Sequence, residues 1–243
     1  MLNFIISALK IIIMLGILVF IHEGGHFLVA KLFKIRVNEF AIGFGPKLFT
    51  KEKGETLYAL RLIPLGGFVD LEGESKPSDA EDSFSKASVP KRIAIVAAGG
   101  LVNIIFGILL YFLLLLTIMN FQSAILNTGG YIGEVIRSII QLFTAKINPD
   151  QLTGIVGISN IVVKTDGFKE YIYIISAISL SLGVTNLLPI PPLDGGKILI
   201  YIIEAIRRKK LKEETEVKLQ GIGFLLIIAL SIYVTYKDVL RLF

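Results

Sequence analysis

From Ile93 to Met119 the chain runs about 27 residues without a charge. A tilted helix crossing a bilayer needs about 20 apolar residues, and a solvated surface helix needs a polar face. Runs at 4–30, 171–193 and 219–236 are apolar over comparable lengths. Lys10, the one charge before Glu23 in the first of these, lies near its outer end, where its stem snorkels. The expected fold class is therefore an α-helical polytopic membrane protein with about four spans. A mean hydropathy of +0.73 agrees. The first run lacks a small-residue cleavage pattern and is expected to stay in the mature protein.

Within that first run stands His22-Glu23-Gly24-Gly25-His26. On a helix, residues four apart share a face. Two imidazoles so placed can hold one Zn²⁺, and a Glu beside the first can take a proton from a water. No other histidine and no cysteine occurs, so any metal must use these two with carboxylates. The bland alternative is a pair of core histidines, which an apolar membrane interior makes costly. Gly24 and Gly25 weaken the helix here. Either they let a substrate or neighbouring backbone approach, or they are helix-packing positions in lipid.

Residues 31–92 are polar and mixed. Arg36–Ile42, Leu48–Lys51 and Thr56–Leu62 read as short strands, with a turn at Glu52-Lys53-Gly54-Glu55. Gly66 and Gly67 fall in Pro64–Val69, apolar enough to dip into the membrane face. The expectation is a small membrane-associated β-sheet over 36–72, not a separate domain. Asn103, in the span 93–119, follows Ala98-Gly99-Gly100 and needs a partner. A packing role and a site role are equally open for it. Gly133–Phe143 has a surface-helix pattern, and Leu152–Val163 is too broken for a span. The run 171–193 ends in prolines 189, 191 and 192, which must break it before an apolar continuation to 206. Asp194 follows the break, as a third metal ligand or as a helix N-cap.

Topology separates those two. About eleven Lys and Arg lie in 31–92 and about six in 207–218, against four in 120–170. The positive-inside rule puts the first two segments in the cytoplasm and both termini outside. The same asymmetry accounts for the net charge of +5 without nucleic acid. His22 lies nine residues before Lys31, roughly 13 Å from the cytoplasmic edge at about 1.5 Å per residue. Asp194 lies thirteen before Arg207, on a run of the same direction. Similar depth favours Asp194 as a ligand, leaving a fourth position open, as in a catalytic zinc site.

These residues resemble the site-2 protease family of intramembrane zinc metalloproteases, in particular its bacterial RseP type. The resemblance is carried by His22–His26, Phe40–Pro46, Ile63–Val69, Ala97–Asn103, Leu152–Ile158 and Asn186–Gly196. It implies zinc ligands at His22, His26 and Asp194 and a general base at Glu23. It implies a substrate contact at Asn186 and a substrate-guiding role for the sheet, with Gly66, Gly67 and Asn103 as further candidates. Implied partners are the lipid bilayer and single-span membrane proteins, such as anti-sigma factors and signal-peptide remnants, in a bacterial cytoplasmic membrane. Close relatives carry PDZ domains of about 90 residues between the second and third spans. Here Phe121–Tyr131 is too short for one, so 1–243 is expected to be a single domain. Either this is a naturally minimal form, or such a domain has been removed and Asn127-Thr128-Gly129-Gly130 is the junction left in its place. Gly100 stands where relatives often have Pro.

Two other functions fit part of the pattern. A metal-ion transporter would line a path with His22, His26 and Asp194, but Glu23 and the lack of a repeated half oppose it. An inactive substrate-binding homologue would not need all four groups.

Overall fold

A computed structural model of the protein describes residues 2–76, 78–143 and 154–241. Leu152 and Thr153 of the quoted Leu152–Ile158 motif lie outside these. Among the described residues the chain is mostly helical, with one small sheet. α1 (Leu2–Leu32) leads into strands β1 (Val37–Lys53) and β2 (Thr56–Leu71). Then come α2 (Val89–Leu116), α3 (Phe121–Phe143), α4 (Ile155–Lys164), α5 (Phe168–Asn186), α6 (Asp194–Arg207) and α7 (Glu213–Leu240).

Among the described residues three helices are long and apolar enough to cross a membrane: α1, α2 and α7. The expected third span is divided, with α5 ending at Asn186 and α6 starting at Asp194. α5 has 19 residues, about 28 Å at helical rise, close to the hydrocarbon thickness. Lys169 and Glu170 lie in its first turn, so its charge-free stretch runs only from 171 to 186. α7 begins at Glu213, so the second half of the charged segment 207–218 forms nearly its first two turns. Asn127–Gly130, read as a junction, lies inside α3. Tyr131 stacks on Tyr111 of α2 at 4.3 Å between ring centroids, which ties α3 to its predecessor.

Lipid removes the hydrophobic drive for helices to associate, so close packing of small residues must replace it. α2 provides them. A Cβ on Gly100 would come 2.8 Å from the Gly183 carbonyl oxygen of α5, and one on Gly107 equally near the Ser176 oxygen. Ser176 and Ser179 of α5 donate to the carbonyls of Gly107 and Asn103, at 3.0 and 2.8 Å. Two apolar clusters form along α1. Met14 and Leu18 pack with Val162 and Ile175, and Ala30 packs with Val37, Leu71, Ile95 and Ile200. His22 and His26 fall in the gap between the clusters. Lys10 does meet a polar partner, donating to the Thr165 carbonyl at 2.7 Å.

The sheet is two bent strands rather than three short ones. Phe40 is opposite both Tyr58 and Val69, so the start of β1 is flanked on each side by β2. Gly67–Leu71 pairs with Val37–Ile42 and has no second ladder partner among the described residues. Glu39 clasps the hairpin through Arg61 at 2.6 Å and Lys47 at 3.0 Å. Burial works to raise its carboxyl pKa, but these hydrogen bonds hold it below the usual value. The far half of the hairpin exposes Phe44, Leu48, Phe49, Leu62 and Ile63, as a membrane-associated element would.

Candidate metal centre

The helical spacing of α1 puts His22 and His26 on one face, with ring centroids 4.8 Å apart. α2 crosses directly over them. A Cβ on Gly25 would lie 2.5 Å from the Ala98 oxygen, and a Cβ on Gly99 would collide with His26 Nε2 and approach His22 Cε1. Gly24 meets nothing within 4 Å. Of the two expected roles of the pair, the approach of a neighbouring backbone therefore belongs to Gly25. Gly99→Ala is expected to displace both rings and weaken zinc binding at least tenfold, by chelator competition on the purified protein.

Asp194 arrives from the other end of the chain. It is the first residue of α6, whose N-cap is Leu193 without a side-chain cap. Its carboxylate turns to the imidazoles instead of capping its own helix. Gly195 and Gly196 let α6 start tightly under the break, since a Cβ on either would meet backbone of 187–191. Asp194 Oδ2 lies 3.3 Å from His22 Nε2 and 3.3 Å from His26 Nε2. The two Nε2 atoms are also 3.3 Å apart. Asp194 Oδ2 is buried without a hydrogen-bond partner. Tetrahedral ligands at zinc bond lengths of about 2.0–2.1 Å stand about 3.3–3.4 Å from one another. The triangle has that edge, and its buried, unpartnered oxygen is what a cation would satisfy. The donor set thus fits zinc, and it is the one such group found among the described residues.

A cavity of about 170 Å³ opens on this triangle, lined by Glu23, Gly67, Phe68, Val69, Glu74 and Lys197 among others. A second cavity, of about 470 Å³, shares Phe68, Val69, Glu74 and Lys197 with it and extends to Gln220 of α7. The Lys197 ammonium donates to Glu74 at 2.8 Å on this shared wall. Sequence reading passed over that pair. A lysine three residues after Asp194 in an apolar helix was a visible signal, but its partner in the loop after β2 was not. Gly67 belongs at this wall because a Cβ there would come 3.1 Å from Glu23 Cγ. Gly66, at φ +92°, makes the turn before it. Asn103 does not line the cavity: it is wholly buried, 3.4 Å from the His22 ring. Asn186 ends α5 half-buried and does not line it either.

Comparison with known proteins assigns the chain to a family. The model of peptidase family M50 matches residues 10–230. The chain is 27% identical to a Clostridium acetobutylicum protein carrying a zinc-metalloprotease name, covering 94% of this chain and 96% of the relative. It is 24% identical to the zinc metalloprotease RasP of Shouchella clausii, with 98% and 99% covered. It is 26% identical to the chloroplastic membrane metalloprotease ARASP of Arabidopsis thaliana, with 97% and 79% covered. The Clostridium alignment runs over 324 residues, so that relative carries stretches which this 243-residue chain lacks. With the family match covering most of the chain and the helices apolar enough for lipid, the chain belongs to peptidase family M50, the site-2 proteases, and is a zinc metalloprotease of membranes.

Proposed function

We propose that the protein is an endopeptidase cutting within the membrane-spanning segment of single-span proteins, anti-sigma factors and signal-peptide remnants among them, in regulated proteolysis. The observation that carries this reading is the free edge of Gly67–Leu71 on the same cavity as Glu23 and the three donors. His22, His26 and Asp194 hold the zinc, which when bound supplies Lewis acidity for peptide hydrolysis. Glu23 takes the proton of the attacking water and passes it to the leaving amine. A substrate helix hides its backbone in its own hydrogen bonds and must unwind before it can be cut. The unpaired edge offers N–H and C=O groups to hold it extended. Gly66, Gly67 and Asn186 are the proposed substrate contacts; Asn103 is too buried to be one. The protein acts as a single domain, in a bacterial cytoplasmic membrane with both termini outside and the site toward the cytoplasm. Family membership disfavours the transporter.

The test is cleavage of a tagged single-span protein in proteoliposomes, with Glu23→Gln as control and fragments mapped by mass spectrometry. Cuts inside the span support the reading, and cuts confined to soluble flanks, or none, overturn it. A finer expectation concerns the edge. Neighbouring strand residues point their N–H groups to opposite sides, so one of Phe68→Pro and Val69→Pro removes an outward donor. That variant should lose about threefold to tenfold in kcat/KM at unchanged zinc content, the worth of roughly one hydrogen bond. Undiminished cleavage by both variants would count against strand addition.

A further inference from the structure

Both imidazoles turn Nε2 toward the ligand triangle, at 3.3 Å from each other and from Asp194. A neutral imidazole carries one hydrogen, so a ring that gives Nε2 to a metal carries it on Nδ1. That N–H then needs an acceptor. For His26 it is the Ile95 carbonyl of α2, 2.9 Å from Nδ1. For His22 the neighbour is the side chain of Asn103, eight residues or about two turns further along α2. Asn103 is wholly buried, and its Oδ1 has no partner. Its Nδ2 lies 3.4 Å from His22 Nδ1, which sets donor against donor. A half-turn of the amide exchanges its two ends in place and gives both groups what they lack. The main chain of Asn103 is already engaged, its carbonyl accepting from Ser179 at 2.8 Å, so α5 holds this part of α2 in place.

We propose that Asn103 is the positioning residue of His22. Its Oδ1 accepts the Nδ1–H hydrogen bond, fixing the tautomer and the ring plane that present Nε2 to zinc. Ile95 and Asn103 thus do the same task for the two histidines, one with main chain and one with side chain. Outer partners of this kind are worth about 10–100-fold in metal affinity. The inference rests on His22 being a zinc ligand.

Zinc affinity of the purified protein, measured by competition with a chromophoric chelator, tests it through two variants of nearly unchanged shape. Asn103→Leu removes the acceptor and should weaken zinc binding about 10–100-fold. Asn103→Asp keeps an acceptor at the same place and should bind zinc at least as tightly as the parent. Because the chain has two histidines, ¹⁵N-histidine labelling resolves both rings, and the His22 Nδ1–H should exchange faster in Asn103→Leu alone. A purely space-filling Asn103 predicts parental affinity for Asn103→Leu, and that result overturns the proposal. So does an Asn103→Asp that loses zinc as Asn103→Leu does. His22→Ala separates the two levels: zinc bound unchanged without His22 sinks the reading of the centre itself, whereas zinc lost there but kept in Asn103→Leu sinks this inference alone.

Discussion

Asp194→Ala is expected to leave the purified protein with little zinc and no measurable cleavage. The side chain supplies one corner of a triangle with 3.3 Å edges, and its oxygen has no other partner. Removing it leaves two imidazoles without the anionic donor, so the loss of affinity should exceed the about 10–100-fold that follows from losing a ligand's hydrogen-bond partner. The helix should survive, because Asp194 does not cap it. Metal analysis after detergent purification, with circular dichroism on the same sample, checks both statements. Zinc content equal to the parent's would mean that the triangle is not the metal site.

Glu23→Gln should behave in the opposite way toward metal. Glu23 lines the cavity beside the donors but is no corner of the triangle. The amide keeps the shape and cannot accept the water's proton, so zinc should stay while cleavage falls by about 10²–10⁴-fold. The pair of variants divides holding from proton transfer: one loses metal and activity together, the other activity alone. Cleavage by Glu23→Gln within tenfold of the parent would remove Glu23 from its proposed role.

The histidine pair was legible because helical periodicity needs only local sequence. Asp194 is 168 residues beyond His26 and was reached only by matching depths across a bilayer, with charge asymmetry giving direction. The same reasoning could say that Asn103 was a polar group in need of a partner. It could not choose the partner, because that depends on which face α2 turns to α1. Gly99 was legible only as a small residue; that imidazoles occupy the space of its missing side chain is a fact of the crossing. The expected strands Arg36–Ile42 and Leu48–Lys51 are one strand, because the chain bends at Gly43 and Gly45, both at positive φ, without ending there. α3 was missed at its start, since Asn127, Thr128, Gly129 and Gly130 are poor helix formers and tertiary contact at Tyr131 overrides them.

The meeting of His22 and His26 with Asp194 also closes a ring of polymer about 170 residues long. Closing such a ring costs entropy that grows only as the logarithm of its length, about 0.6 kcal/mol per doubling. Adding about 90 residues between α2 and α5 would raise that cost by about 0.4 kcal/mol. A centre whose donors sit at the two ends of a rigid helical frame is thus nearly blind to how much chain loops out between them. Longer relatives can keep the same three donors while their loops gain or lose whole folding units, and selection on those loops need not touch the chemistry.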